Sequence, residues 1–247
     1  MSSRARIALV TDAATGIGAA LAKGLALDGA TVIGADIAWN DIDATSDNGV
    51  ERVDCDVTDP QSVRDCVARI TSRHGGIDIL VNNAALASSL SPTPAEAITA
   101  EEWKRVMTVN TVAPLLCAQA VIPHMKRQRF GRIINLSSAT VFTGMPGLLH
   151  YVASKGAIVA MTRSLAKELG ADGVTVNAIA PGLTMTDGIQ ANHAYSEELI
   201  AQAVAAQSIP RREQPDDLVG ACLFLASTAS SFMTGQILTV DGGTAFH

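Results

Sequence analysis

Residues 7–18 read Ile7-Ala-Leu-Val-Thr-Asp-Ala-Ala-Thr-Gly-Ile-Gly18, and the architecture of the chain can be inferred from this stretch. The first four residues form a short apolar run typical of a buried strand. Gly16 and Gly18 then mark a turn, and an Ala/Leu-rich helix follows to about Leu27. Strand, glycine turn and helix in this order allow the backbone to approach a dinucleotide pyrophosphate at the positive end of a helix. The stretch therefore predicts an α/β unit that binds a dinucleotide.

The next strand indicates which dinucleotide. Thr31 to Asp36 reads as a strand that ends in an acid, eighteen residues after Gly18. A carboxylate at this point accepts hydrogen bonds from the ribose hydroxyls of adenosine and repels a 2′-phosphate. Ile37 follows, and no Lys or Arg lies between Thr11 and Gly18. These residues predict NAD rather than NADP, the alternative being a solvated acid in a turn.

A second group of residues indicates chemistry. Tyr151 and Lys155 lie four residues apart on a predicted helix, so that both side chains project from one face. An ammonium near a phenol favours the phenolate, which can then act as a base. The run 132–136 reads as a buried strand and places Ser138 near its carboxyl end, where a hydroxyl can hold a substrate oxygen. The alternative is an ordinary exposed Tyr–Lys pair, since this spacing is common.

Together with Asn110, these three residues resemble the catalytic tetrad of the short-chain dehydrogenase/reductase family, and the resemblance covers essentially the whole chain. It implies reversible hydride transfer between C4 of nicotinamide and a carbinol carbon. In that reaction Tyr151 is the base, and Lys155 lowers the pKa of Tyr151 and binds the nicotinamide ribose. Ser138 orients the substrate oxygen. The resemblance implies that Asn110 supports a proton relay, whereas a buried amide with a structural role is the alternative.

The resemblance also implies a set of cofactor contacts. With Asp36 and Ile37, the predicted cofactor-binding residues are Thr11, Asp12, Thr15, Gly16, Ile17, Gly18, Asp56, Val57, Asn83, Ala84, Ala85, Tyr151, Lys155, Pro181, Gly182, Thr184 and Thr186. Asp12 replaces the first glycine of the family fingerprint. We expect the turn to form nonetheless, because Asp tolerates left-handed geometry, and we expect its charge to weaken cofactor binding.

The predicted fold class is α/β: a single-domain, doubly wound (Rossmann) seven-stranded parallel sheet with helices on both faces, spanning residues 1–247. Its third strand is predicted at Val53 to Val57, and a short helix between Ala38 and Val50. A long helix should run from Ala100 to about Lys126 with a bend at Pro114. Residues 183–210 are long and mixed in composition, and they predict a substrate lid, here called the lid segment.

The predicted substrate residues are mostly apolar and include no Arg or Lys clamp. They are Ser138, Thr140, Met145, Leu148, Tyr151 and Leu183, with Ala87, Ser88, Val141 and His150 as further candidates. Such a lining predicts a neutral, hydrophobic or aromatic alcohol or its carbonyl compound. Two alternatives are a 3-oxoacyl-carrier-protein reductase, which would prefer NADPH and a basic docking surface, and a non-catalytic dinucleotide-sensing regulator, which would lack the tyrosine or the lysine.

Composition limits the partners. The 247 residues carry a formal net charge of −6 without a basic run, which argues against nucleic acid and anionic membranes. No apolar run predicts a membrane span, and the run that begins at Ile7 is too short for a signal-peptide core, so that a cytoplasmic enzyme is expected. The four cysteines are scattered and predict reduced thiols rather than disulfides or a metal site. The family resemblance implies a homotetramer.

Overall fold

The computed structural model describes residues 5–39 and 49–246, and within these ranges seven parallel strands form one sheet. The strands are β1 (Ile7–Thr11), β2 (Thr31–Asp36), β3 (Val50–Asp54), β4 (Ile79–Asn82), β5 (Gly131–Leu136), β6 (Val174–Pro181) and β7 (Ile237–Val240). Their order in the sheet is β3-β2-β1-β4-β5-β6-β7. The predicted fold class is thereby confirmed.

Helices cover both faces of this sheet. They are α1 (Gly16–Leu27), α2 (Pro60–His74), α3 (Ala100–Met107), α4 (Ala113–Gln128), α5 (Thr140–Thr143), α6 (Leu149–Leu169), α7 (Asp187–Ala191), α8 (Glu197–Ala205) and α9 (Val219–Ala226). Alternation along the strands assigns each side chain to a face. Ile7 and Leu9 pack with α2, α4 and α6, whereas Ala8 and Val10 pack with α1 and α9. Both faces are therefore apolar, as a buried parallel sheet requires.

The strand order reverses at β1, which pairs with β2 on one side and with β4 on the other. In open α/β sheets, ligands bind at the carboxyl ends of the strands beside such a reversal. Thr11 ends β1 and Asn82 ends β4, so the topology directs attention to the turns that follow these two residues. The glycine turn predicted from the sequence begins at this point.

The predicted long helix is interrupted. A π-helical turn at Thr108–Val112 separates α3 from α4, just before Pro114. Because proline has no N–H, it cannot donate to the carbonyl of Asn110, and the wider turn accommodates this loss. The bend predicted at Pro114 therefore takes the form of a π-helical turn on its N-terminal side.

By length and composition, the helical stretch 100–128 could cross a membrane, because its most apolar window has a mean hydropathy of 1.5. The sequence had predicted no such stretch. One such helix indicates a membrane span only weakly, since core helices of soluble proteins have the same length and composition. Val121 and Met125 of α4 are fully buried against the sheet.

Other boundaries differ from the predictions. β3 spans Val50–Asp54 rather than 53–57, because it is an edge strand whose half-buried charged residues hide the usual apolar pattern. The short helix predicted between Ala38 and Val50 falls largely on residues 40–48, outside the described part. The lid segment contains α7 and α8 and is more helical than its composition indicated.

Candidate active site

The turn after β1 has the backbone geometry of a phosphate-binding loop. Asp12 and Gly16 have positive φ angles of 54° and 57°, so the turn forms with an aspartate in place of glycine. A Cβ atom on Gly18 would lie 1.9 Å from the carbonyl oxygen of Asp12, so only glycine fits there. No side chain caps the start of α1 at Thr15. The N–H groups of its first turn therefore remain available for an anion.

Hydrogen bonds connect this turn to β4. The Oγ1 atom of Thr11 accepts from the backbone N–H groups of Asn83 and Ala84, both at 3.0 Å. The Nδ2 atom of Asn83 donates to the carbonyl oxygens of Thr11 and Asp12, at 3.2 Å and 3.1 Å. Thr11 is buried and supports the turn from behind. Thr11 therefore affects the site indirectly, by fixing the backbone of Asn83 and Ala84.

Asp36 lies beside the glycine turn at the end of β2. It is buried, and its carboxylate oxygens accept from the N–H groups of Ala14 and Ala38, both at 2.9 Å. Ile37 is 71% exposed next to it. Asp56, beyond the end of β3, accepts from the N–H and the hydroxyl of Thr58. The acids predicted to contact the adenosine side are thus gathered at one edge of the sheet.

The structure brings Ser138, Tyr151 and Lys155 together at the carboxyl end of β5. The hydroxyl of Ser138 accepts from the N–H and the hydroxyl of Thr140, at 3.2 Å and 3.0 Å, and Ser138 lines the same cavity as Tyr151. The Nζ atom of Lys155 lies 5.8 Å from the centroid of the Tyr151 ring and donates to the carbonyl oxygen of Leu136 at 2.9 Å. A buried ammonium and a phenol therefore share one wall of the site.

The pKa values of Tyr151 and Lys155 are both shifted by burial. Burial raises the pKa of Tyr151 to about 12, an effect that the hydroxyl of Ser138 opposes and the nearby Tyr195 reinforces. Burial also lowers the pKa of Lys155 to about 8, against the attraction of Asp12. Desolvation disfavours the charged form of both groups, and the effect of Lys155 on the pKa of Tyr151 stays a prediction.

Asn110 is fully buried in the π-helical turn, and its side-chain amide is satisfied. Its Oδ1 atom accepts from the N–H of Leu86 at 2.7 Å. Its Nδ2 atom donates to the carbonyl oxygen of Leu86 at 3.1 Å and to the hydroxyl of Ser154 at 3.0 Å. The side chain therefore connects the loop after β4 to α6, and the proton relay that the resemblance implies for Asn110 stays a prediction.

These elements enclose a cavity of about 430 Å³. All six predicted substrate residues line it, as do Ala87 and Ser88. Val141 and His150 do not. His150 is buried and its Nε2 atom lies 3.3 Å from a carboxylate oxygen of Glu102 on α3, because the residue before Tyr151 points to a different side of α6.

Twelve of the predicted cofactor residues also line this cavity: Asp12, Thr15, Gly16, Ile17, Asn83, Ala85, Tyr151, Lys155, Pro181, Gly182, Thr184 and Thr186. Seven do not: Thr11, Gly18, Asp36, Ile37, Asp56, Val57 and Ala84. Thr11 and Gly18 shape the turn from behind it. Asp36 is the last residue of β2 and Asp56 follows the edge strand β3, and neither lines the cavity.

Some lining residues were not singled out from the sequence. The lid segment contributes, among others, Ile189, Tyr195, Leu199 and Gln207, which were included only as part of the segment. Outside that segment, the residues missed are Leu136, Ser137, Ala139, Thr143 and Thr244. Thr244 follows β7, and the rule that ligands bind at the carboxyl ends of parallel strands could have identified it.

The glycine turn, the uncapped start of α1 and the buried Asp36 fit a nicotinamide dinucleotide. The first turn of α1 suits its pyrophosphate, and the Asp36 carboxylate suits its adenosine ribose. Lys155, Tyr151 and the segment that begins at Pro181 line the same cavity as this turn. Fold and site together define a dinucleotide-binding α/β oxidoreductase with a Ser–Tyr–Lys centre.

Comparison with known proteins agrees. A family model described as enoyl-(acyl carrier protein) reductase matches residues 13–245. A probable galactose dehydrogenase of Rhizobium meliloti is 38% identical over 97% of this chain and 95% of its own length. A 3-oxoacyl-[acyl-carrier-protein] reductase of Thermotoga maritima is 34% identical over 98% and 99% of the two chains. The chain belongs to the short-chain dehydrogenase/reductase family.

A solved structure extends the comparison to three dimensions. It is a Beutenbergia cavernae protein, provisionally named an NAD(P)-dependent gluconate 5-dehydrogenase, with NADP bound at low occupancy. The two chains are 35% identical, each is covered to 98%, and the TM-score is 0.87. The family binds a nicotinamide dinucleotide and acts on CH–OH groups, and this chain is an oxidoreductase of that family.

Proposed function

We propose that this protein is an NAD-preferring dehydrogenase that interconverts a neutral, hydrophobic or aromatic alcohol and its carbonyl compound. One observation carries the proposal. Ser138, Tyr151 and Lys155 line the same cavity as the first turn of α1, so that an acid–base centre and a dinucleotide cradle adjoin. This arrangement suits removal of a proton and of a hydride from one carbinol group.

The residues divide the work as follows. Ser138 holds the substrate oxygen by a hydrogen bond. As the phenolate, Tyr151 accepts the hydroxyl proton while the alcohol is oxidised, and as the phenol it returns a proton to the carbonyl oxygen in the reverse direction. Because burial raises the pKa of Tyr151, the phenolate depends on the positive charge of Lys155 nearby. The first turn of α1 and Asp36 would hold a nicotinamide dinucleotide, which would supply the hydride acceptor for the carbinol carbon. Lys155 supplies positive charge near the phenol and donates to the nicotinamide ribose.

Asp36 supports NAD over NADP. Its carboxylate is already hydrogen-bonded at the end of β2, and a 2′-phosphate placed there would meet a fixed negative charge. We expect NAD to be preferred by at least about a hundredfold in kcat/KM. The NADP in the related Beutenbergia structure makes this the first point to measure.

The walls of the cavity support a neutral substrate. Met145, Leu148, Leu183 and Ile189 give it an apolar lining, and Lys155 is the one cation among the described residues that line it. A neutral sugar is the second candidate. Ser88, Gln207 and Thr244 add polar groups near the lid segment, and both the Rhizobium and the Beutenbergia relatives are named as sugar or sugar-acid dehydrogenases.

A carrier-protein substrate is less well supported. Such a partner is acidic and needs exposed cations near the mouth of the site. Arg211 and Arg212 follow the lid segment in the sequence, but each already forms a salt bridge, Arg211 with Asp217 and Arg212 with Glu197. We therefore propose a free small molecule as substrate, with the lid segment closing over it. Cytoplasmic location and homotetrameric assembly belong to the same proposal.

One activity screen tests the proposal. Purified protein is assayed with NAD and with NADP against panels of aryl and alicyclic secondary alcohols, aldohexoses and sugar acids, and in reverse with a 3-oxoacyl thioester. Oxidation of neutral alcohols with NAD is the expected result. Equal rates with both cofactors would overturn the cofactor assignment, and turnover of the thioester alone would favour the reductase. Absence of any turnover together with tight dinucleotide binding would support the regulator.

A further inference from the structure

Glu213 lies outside the cavity, behind the segment that carries the nicotinamide side of the site. It is 5% exposed. One carboxylate oxygen accepts from the N–H of Gly182 at 3.0 Å, and the other accepts from the hydroxyl of Thr184 at 2.8 Å. The backbone carbonyl oxygen of Glu213 accepts from the N–H of Met185 at 2.8 Å. A single residue thus holds three points of the segment 182–185.

The held segment forms a wall of the cavity. Pro181, Gly182, Leu183, Thr184 and Thr186 all line it. Thr186 also packs against the glycine turn, because a Cβ atom on Gly16 would lie 3.2 Å from the methyl group of Thr186. The carboxylate of Glu213 also fixes the choice of residue at 182, because a Cβ atom there would lie 2.6 Å from its Oε2 atom.

Among residues 5–39 and 49–246, no lysine, arginine or histidine forms a salt bridge with Glu213. Burial raises its pKa to about 7, an effect that the two accepted hydrogen bonds oppose and the carboxylates of Asp217 and Asp241 reinforce. Arg211, on the same segment, is bound by Asp217 through two contacts of 2.6 Å. Burying a carboxylate near two other acids lowers the stability of the folded protein. Such groups occur preferentially at functional sites.

We infer that Glu213 is a positioning residue, whose carboxylate holds the segment 181–186 in the shape that the nicotinamide half of the cofactor requires. The inference rests on the proposed function, because it assumes that a nicotinamide dinucleotide binds in this orientation. Glu213 itself touches neither cofactor nor substrate. It acts through Gly182 and Thr184, so its loss should affect one half of the cofactor and spare the other.

Two ligands separate these halves. NADH carries the nicotinamide ring, whereas ADP-ribose has the adenosine, the pyrophosphate and a second ribose without the ring. We expect Glu213→Ala to weaken NADH binding about tenfold to a hundredfold, because two hydrogen bonds that order the segment are lost. ADP-ribose should bind within about twofold of wild type. Both affinities are measured by titration calorimetry, so the readout does not depend on finding the substrate.

The conservative variant provides the rescue. Glu213→Gln can accept from Gly182 and donate to the Thr184 oxygen, and it should bind NADH within about threefold of wild type. If the alanine variant does not fold, Glu213→Leu keeps the volume and allows the same comparison. Asp78→Asn is the matched control, because Asp78 is a buried carboxylate that accepts from the N–H of Ile7 at the opposite end of the sheet. It should change stability without changing either affinity.

The outcomes are distinguishable. An equal loss of NADH and ADP-ribose affinity would show that Glu213 is merely structural, and unchanged NADH binding in the alanine or leucine variant would also overturn the inference. A wild-type protein that binds neither ligand would overturn the proposed function and the inference with it. Tight binding without turnover would refute the dehydrogenase alone and leave the role of Glu213 measurable.

Discussion

At the level of single side chains, Tyr151 carries most of the expected chemistry. We expect Tyr151→Phe to lower kcat by roughly 10²–10⁴-fold, since a positioned acid–base group contributes about this much. NADH affinity should change little, because the ring remains in place. Tyr195→Phe is the control: Tyr195 is a second phenol that lines the same cavity. Near-full turnover of the Tyr151 variant with any alcohol would contradict the assignment.

Asp12 connects the chemistry of the site to pH. The protein around the carboxylate and the negative charge of Asp36 raise its pKa to about 7, although one side of the residue remains open to solvent. The carboxyl is therefore mainly neutral below pH 7 and charged above it. When charged, it repels the pyrophosphate of a bound dinucleotide.

The prediction follows from this sign. Asp12→Asn removes the charge and keeps a residue that tolerates the positive φ angle. At pH 8 we expect the variant to bind NAD about threefold to thirtyfold more tightly than wild type, with a smaller gain at high salt. At pH 5.5 the two proteins should bind NAD equally. A pH-independent difference in NAD titrations would show that the charge of Asp12 is not the cause.

Among the elements, the π-helical turn between α3 and α4 has the clearest consequence. It directs Asn110 toward Leu86, and Leu86 follows Ala85, which lines the cavity. The turn therefore holds one wall of the site through two hydrogen bonds to Leu86, and a third bond joins it to Ser154 on α6. The geometry of a helix interruption thus affects the shape of the pocket.

We expect Asn110→Leu to lower the free energy of unfolding by about 3 kcal/mol, since three hydrogen bonds are lost at about 1 kcal/mol each. It should also weaken NADH binding. Asn177→Leu is the matched control: Asn177 is an equally buried amide that joins β6 to the segment before β7, bonding Met233 and Gln236. It should destabilise without weakening NADH binding. Chemical denaturation and calorimetry measure the two effects, and equal loss of affinity in both variants would contradict the role.

The elements also show how far the sequence could predict the molecule. Glycine spacing and apolar alternation identify β1, α1 and the layered fold, because these signals are local in the chain. Ser138, Tyr151 and Lys155 converge as their places on β5 and α6 imply. The direction of His150 depends on which face of α6 meets α3, and the raised pKa of Tyr151 depends on burial by distant segments. Neither property can be predicted from the residues next to His150 or Tyr151 in the sequence.

For the whole molecule, assembly is the main expectation. Leu115 on α4 and Leu149 on α6 are 37% and 48% exposed in the single chain. The family resemblance implies that these helices pair across subunits. We expect sedimentation to give the mass of four chains, and Leu115→Glu with Leu149→Glu to reduce it. Leu27→Glu, at an exposed position of α1, should leave the mass unchanged. A monomeric wild-type protein would contradict the proposal.

The central position of β1 also affects biosynthesis. β1 needs β4 as a neighbour, and the paired residues Ala8 and Ile79 are 71 positions apart. At a translation rate of about 5–20 residues per second, roughly 4 to 14 seconds pass between the synthesis of these two residues. During that time the five residues of β1 have no β4 to pair with, and the backbone groups on that edge are free to pair with other chains. Chaperones bind exposed apolar segments of this kind. The same strand that organises the finished enzyme is therefore the segment of the nascent chain that most needs protection on the ribosome.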